Sequence, residues 1–397
     1  MGKFNRRNFL KSSLIGAGGA LIAKPAISST TPTGGNEKVI TRTLGKTGLQ
    51  LPVLSMGVMR ADNPRLVTAA MDSGIVFFDT AYGYQKGKNE EMLGDVFKDY
   101  PRDKIIIQTK VLPGDRNRET DSYGPGATKE SFLEMFETSL GRLQTDYVDI
   151  LLHHVASSRA GVLHEPTITA LQQAKKDGKT RFIGVSTHKN EPEVIRAAIE
   201  TGVIDVITVA YNFKQDHRAE IGSAIADAAK AGIGIIGMKN MAGGFLDEEK
   251  QKPVNGKAAL KWALRDPHVT TCIPGFTTFD ELEQDIEIMT DLELTIEEMK
   301  ELELAGEEMG LYCQGCTQCL SGCRKGLPIP EIMRSYMYAY GYGEMQKARD
   351  TLDEYRVQSD PCKGCTECSV SCAKGFPVAD RVKNVSRLID VPEDFIV

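Results

Sequence analysis

The chain has 397 residues, 41% of them hydrophobic and 26% charged, which is ordinary for a water-soluble globular protein large enough for one big domain and a small one. A net charge of −6 gives no basis for binding nucleic acid or an anionic membrane surface. Beyond the N-terminus no apolar run is long enough to span a bilayer, so an integral membrane protein is not expected.

The first thirty-seven residues read as a targeting segment and linker. Asn5-Arg6-Arg7-Asn8-Phe9-Leu10-Lys11 precedes a weakly apolar run from Ser12 to Ala23, then Lys24-Pro25-Ala26. A basic start, an apolar stretch and small residues describe a secretory signal, and the paired arginines resemble the twin-arginine type. This predicts a periplasmic or otherwise extracytoplasmic protein. The glycines of Gly16-Ala17-Gly18-Gly19 fall in the signal and say nothing about phosphate binding.

From residue 38 to 292, short apolar runs alternate with amphipathic segments. The runs are Val53–Met59, Val76–Asp79, Lys104–Lys110, Tyr147–His153, Arg181–Ser186, Val206–Tyr211, Gly234–Met238 and Thr270–Pro274. Helical patterns lie between them. Eight such units in this length predict an α/β fold, a (β/α)8 TIM barrel. A doubly wound open sheet is the alternative, but no GxGxxG joins the first run to a helix. Barrel chemistry sits where strands end at their C-terminal edge, which singles out Asp79, Lys110 and His153-His154, with Tyr84 in the second loop.

Residues 293–397 are expected to form a small helical, ferredoxin-like domain. Cys313-x2-Cys316-x2-Cys319-x3-Cys323 returns 49 residues on as Cys362-x2-Cys365-x2-Cys368-x3-Cys372. That spacing holds [4Fe–4S] clusters in bacterial ferredoxins, the fourth cysteine of each run serving the other cluster. Four disulfides and two zinc sites are the alternatives. Cysteines three apart on one loop pair poorly, and zinc motifs usually combine two CxxC knuckles. Proline follows the fourth cysteine by five residues in both copies, at Pro328 and Pro377, instead of directly. The Met- and Tyr-rich stretch between the runs (Met333, Tyr336, Met337, Tyr338, Tyr340, Tyr342, Tyr355) reads as packing, as do Trp262 and Cys272.

The segment Val76-Phe-Phe-Asp-Thr-Ala-Tyr-Gly-Tyr84, with Asn89-Glu-Glu-Met-Leu-Gly94, Ile106–Lys110 and Leu143–His154, resembles the aldo-keto reductase superfamily. Gly184-Val-Ser186, Tyr211-Asn212 and Ile273-Pro274-Gly275 match later landmarks, and the tail resembles that of a subgroup with ferredoxin-type extensions. The resemblance implies a tetrad of Asp79, Tyr84, Lys110 and His154, and an oxidoreductase acting on a carbonyl or alcohol, a sugar included. Tyr84 would be general acid and base, its pKa lowered by Lys110, which Asp79 holds in place. His154 would orient the carbonyl.

For the cofactor, the resemblance implies NAD(H) or NADP(H) held by Ser186, Thr187, Thr208 and Met238, with Met241, Gly243 and Gly244 along the pyrophosphate. Gly275 and Glu281 stand where NADPH-dependent members carry Lys and Arg, so NADH is favoured, with Glu281 accepting hydrogen bonds from ribose hydroxyls. Export away from soluble nicotinamide suggests that two [4Fe–4S] clusters couple the barrel to a redox partner protein or quinone-linked donor. The competing reading is a non-catalytic electron-transfer protein with the barrel as docking scaffold.

Overall fold

The computed structural model describes residues 38–117 and 120–396, so the expected signal and linker lie outside the described residues. Residues Ile40–Val397 make one compact unit. Eight parallel strands run Met56–Gly57, Phe77–Asp79, Ile106–Val111, Val148–His153, Thr180–Thr187, Val206–Ala210, Gly234–Met238 and Val269–Cys272, each hydrogen-bonded to the next. Parallel bridges Leu54–Cys272 and Gly57–Gly275, with Ser55 N donating to Cys272 O at 2.9 Å, join first to last and close the barrel. An antiparallel hairpin, Thr41–Thr43 with Gln50–Pro52, precedes the barrel strands in the chain.

These segments are strands because their side chains are buried on both faces. Every residue of Val148–His153 is buried, and a parallel sheet covered by helices demands such unbroken apolar runs. Gly184 is required there: a Cβ would stand 2.1 Å from the Val206 carbonyl oxygen. Several of the helices begin on side-chain caps. Asn63 caps Pro64–Asp72, Thr128 caps Lys129–Leu143, and Thr278 and Thr295 each form a capping box.

The tail after residue 292 is helical, with Ile296–Glu307, Ile329–Tyr336, Met345–Glu354 and Val378–Ser386 as α-helices and a π-helical stretch at Met337–Tyr342. It shares its core with the barrel top. Phe213, Ala242, Ala258 and Ala259 pack with Leu311, Tyr312, Ile332, Met333, Tyr336 and Met337. Polar ties reinforce this: Lys214 Nζ donates to the carbonyls of Ala305 (2.6 Å) and Glu308 (2.8 Å), and Arg60 pairs with Glu344 at 3.1 Å. Met333, Tyr336 and Met337 pack into this core, as read from the sequence, and Cys272 lies in the barrel core. Among the described residues no helix is long and apolar enough to cross a membrane.

Candidate active site at the barrel mouth

Asp79 ends the second barrel strand, Lys110 lies near the end of the third, and both are buried. Lys110 Nζ donates to Asp79 Oδ2 (2.7 Å) and the Thr80 carbonyl (2.8 Å), and lies 3.3 Å from the Tyr84 hydroxyl. The ring of His154 meets that of Tyr84 edge-on, centroids 5.8 Å apart. The four residues therefore converge at one mouth. His153 points elsewhere, its Nε2 2.7 Å from the Tyr123 hydroxyl, as alternation along a strand requires.

Local structure explains the neighbouring motif. Asn89 Nδ2 donates to Val58 O (2.6 Å) while its Oδ1 accepts from Thr80 (2.6 Å). Glu90 accepts from Thr109 at 2.6 Å, and Arg142 donates to the carbonyl of Tyr82 at 2.9 Å. These bonds fix the loop that delivers Tyr84. Gln85 and Lys86 follow it at φ 49° and 56°, and Val155 follows His154 at φ 62°. Left-handed backbone at a β-branched residue is costly, and here it sits directly beside the site. Val155 N donates to Ser186 Oγ at 3.0 Å, and Arg116 donates to its carbonyl at 2.7 Å, which holds the turn.

The electrostatics differ from expectation at Tyr84. Burial first, then the charges of Asp79 and Tyr338, raise its pKa well above the ordinary phenol value. The lysine does not win, because its charge is committed to Asp79. Burial pushes Lys110 itself down, with Asp79 opposing. His154 is pushed well below 6.5 by burial and then by Lys110, so it is a neutral imidazole. The resting site holds a neutral phenol as proton donor and a neutral histidine as hydrogen-bond partner.

The residues assigned to the nicotinamide are placed unevenly. Ser186, Thr187 and Met238 sit at strand ends by the mouth, which suits the ring end of such a cofactor. Ser186 Oγ already accepts from Val155, Thr187 donates to Lys189 O (2.9 Å), and Thr208 exchanges bonds with Gln108 inside the barrel. The loop Met241–Gly244 lies under the tail. Gly243 faces Leu311, Tyr312 and Met337, Gly244 faces Tyr342, and a Cβ on Gly341 would stand 2.8 Å from the Gly243 oxygen. Gly275 abuts Arg60. The Glu281 carboxylate is not free for ribose: it accepts from Thr277 N (2.6 Å), Thr277 Oγ1 (2.9 Å) and Thr278 N (3.2 Å), closing a helix cap. The phosphate end of a dinucleotide thus meets a covered loop.

Among the described residues no group of three or more His, Cys, Asp or Glu converges tightly enough to hold a metal ion. The cysteines nonetheless assort in two mixed sets. Cys313 interacts electrostatically with Cys319 and Cys372, and Cys319 with Cys316 and Cys372. Cys362 interacts with Cys365, Cys368 and Cys323, and these four line a cavity of about 350 Å³. Each run of three is completed by the fourth cysteine of the other run. These eight thiols are unpaired.

The aldo/keto reductase family profile matches residues 53–258, just over half of the chain. The chain belongs to the aldo/keto reductase family. It is similar to L-galactose dehydrogenase of Arabidopsis thaliana, 27% identical over 293 residues covering 64% of this chain and 89% of that protein. L-glyceraldehyde 3-phosphate reductase of Escherichia coli K12 is 26% identical over 313 residues, covering 63% of this chain and 87% of its own. In fold, the chain resembles an aldo-keto reductase from Bacillus halodurans at TM-score 0.56 and 24% identity, covering 68% of this chain and 96% of that one. The barrel expected from the sequence is therefore the fold of an oxidoreductase family. Sequence reading passed over His188, Lys239, Arg334 and Lys347 and took Tyr338 for packing, although all five interact electrostatically with one another or with Tyr84 and His154. Lys239 alone carried a signal, directly following an assigned strand end.

Proposed function

We propose that this chain is an exported aldo-keto reductase-type enzyme acting on a carbonyl or alcohol of a small, carbohydrate-like molecule, with iron–sulfur clusters linking it to a redox partner. The observation that carries the catalytic part is the convergence of Asp79, Lys110, Tyr84 and His154. The names of the two relatives, one an L-galactose dehydrogenase and one an L-glyceraldehyde 3-phosphate reductase, favour a sugar-like substrate.

In reduction, the carbonyl oxygen sits between the Tyr84 hydroxyl and His154. Negative charge developing on that oxygen is met by the tyrosine proton, and His154 fixes the oxygen's direction. Lys110, held by Asp79, stabilises the tyrosinate left behind. In alcohol oxidation the proton runs the other way, from substrate hydroxyl to tyrosinate. A nicotinamide, NADH before NADPH, supplies or takes the hydride when bound. The covered Met241–Gly244 loop means its exchange requires the tail to shift.

The cysteine sets support two [4Fe–4S] clusters, one on Cys313, Cys316, Cys319 and Cys372, the other on Cys362, Cys365, Cys368 and Cys323. Clusters of this kind carry single electrons. The partner would be a redox protein or quinone-linked donor. Export through the twin-arginine route, which carries folded proteins, lets thiolates be loaded before they meet an oxidising compartment.

One observation favours the scaffold reading: the tail covers the Met241–Gly244 loop along which a pyrophosphate would lie. Anaerobic purification of the secreted protein, with iron, sulfide and extractable nicotinamide measured on one sample, separates the two. Iron with nicotinamide, bound or taken up on addition, supports the enzyme. Iron with neither leaves the scaffold. Exchanging Arg6-Arg7 for Lys-Lys is expected to keep the protein in the cytoplasm, and unchanged secretion would refute the export route.

A further inference from the structure

The barrel mouth gathers positive charge that the tetrad does not use. Lys239 follows the seventh barrel strand in a left-handed conformation, φ 55°, and its carbonyl is held by Asn212 at 3.2 Å. Its ammonium lies 3.5 Å from the Tyr338 hydroxyl and 5.4 Å from that ring's centroid. Tyr338 is buried on the π-helical stretch of the tail, a form that recurs at functional sites. Arg334 and Lys347, on the helices either side of that stretch, also act on Tyr338. Lys347 acts on His154, and Lys239 and Arg334 act on His188. The Nδ1 of His188 is buried and has no hydrogen-bond partner among the described residues.

A charge count shows what is missing. Asp79 takes Lys110, Asp121 takes Arg116, and Glu331 lies 3.9 Å from Arg334 and 3.8 Å from Lys189. Lys239 and Lys347, both half-buried, form no ion pair with a carboxylate among the described residues. Half-buried ammonium groups with no carboxylate partner are suited to receive an anion. Their field is strong enough to pull the buried Tyr338 phenol down to about 8, against the effect of its burial.

We propose that Lys239 and Lys347, with His188 Nδ1 and the Tyr338 hydroxyl, form a subsite for an anionic group of the substrate, a carboxylate or a phosphate, while its carbonyl meets Tyr84 and His154. The small molecule, not a dinucleotide, is the source of that charge, because Leu311, Met337 and Tyr342 cover the loop where a pyrophosphate would lie. The tail thereby becomes part of the substrate site: the barrel alone lacks Tyr338 and Lys347. The inference rests on the tetrad being the reacting centre.

The test uses the full secreted chain with its imidazoles labelled for NMR. Succinate and inorganic phosphate are titrated separately, then again with ADP-ribose present. A saturable shift of the His188 signal with one of the two anions, unaffected by ADP-ribose and lost in the Lys239→Met/Lys347→Met double variant, supports the subsite and says which anion it prefers. No shift with either anion, or displacement of the anion by ADP-ribose, overturns it. In turnover, succinic semialdehyde against butanal, and glyceraldehyde 3-phosphate against glyceraldehyde, give matched charged and neutral pairs. A tenfold or larger kcat/KM preference for a charged member, mainly in KM and shrinking toward unity in Lys347→Met, is expected. Equal use of both members overturns the proposal. Absence of turnover with every aldehyde counts against the tetrad reading and leaves the titration to judge the subsite.

Discussion

The ammonium of Lys110 lies 3.3 Å from the hydroxyl of Tyr84 but only 2.7 Å from Asp79 Oδ2. The lysine is thus first the partner of a buried carboxylate and second the neighbour of the phenol. Replacing Lys110 with Met is expected to leave the Asp79 charge stranded, at a cost of roughly 3–5 kcal/mol of stability. The Asp79→Asn/Lys110→Met double variant should recover most of that in chemical denaturation. Neither should recover turnover, so stability and activity part company.

Asp285, buried and near Glu281, is raised to about 7 by burial first and by that neighbour second. Its folded pKa exceeds the unfolded value, so the folded state binds the extra proton between about pH 4 and 7. Stability contributed by this group is full in acid and lost as pH rises through 7. Asp285→Asn should flatten that part of the stability–pH curve and be more stable than wild type at pH 8. A thermal-melt series from pH 5 to 8 reads this directly, and parallel curves would show that the carboxyl is solvated.

The near contact of Gly341 with the Gly243 carbonyl makes the tail's seat on the barrel dependent on a missing side chain. Gly341→Val should loosen residues 337–344, seen as faster amide exchange there with the barrel strands unchanged. If the tail is what covers the Met241–Gly244 loop, the same variant should bind NADH or ADP-ribose more tightly than wild type, by tenfold or more. Unchanged affinity would mean the groove is closed for another reason.

The crossed cysteine sets predict a specific result for single serine variants. Cys372→Ser should remove the cluster held by Cys313, Cys316 and Cys319, and Cys323→Ser the other, each lowering bound iron by about half while leaving one intact electron-paramagnetic signal. The signal that survives Cys323→Ser should vanish in Cys316→Ser. If Cys372→Ser instead spared it, the sets would not be crossed.

Much of the barrel was legible because its strands are buried on both faces and therefore read as unbroken apolar runs, and because catalytic side chains collect at strand ends. Strand ends left His153 and His154 open, and the family resemblance chose His154. The tail's role was not legible. One residue in a tyrosine-rich helical stretch faces the mouth while its neighbours face the core, and only the packing of Ile332, Met333, Tyr336 and Met337 against the barrel decides which. Glu281 shows a signal present but passed over: Thr278-x-x-Glu281 spells a capping box, which commits that carboxylate to backbone amides. The direction of the Tyr84 shift was beyond sequence, because it turns on how deeply the fold buries the phenol and how fully Asp79 absorbs the lysine's charge.

Tyr84 carries the proposed chemistry. In the anaerobically purified protein, Tyr84→Phe should cut carbonyl or alcohol turnover by about 10²–10⁴-fold while iron content and its reduction stay as in wild type. Turnover undiminished in Tyr84→Phe would contradict it, and would leave the barrel as a platform for the clusters.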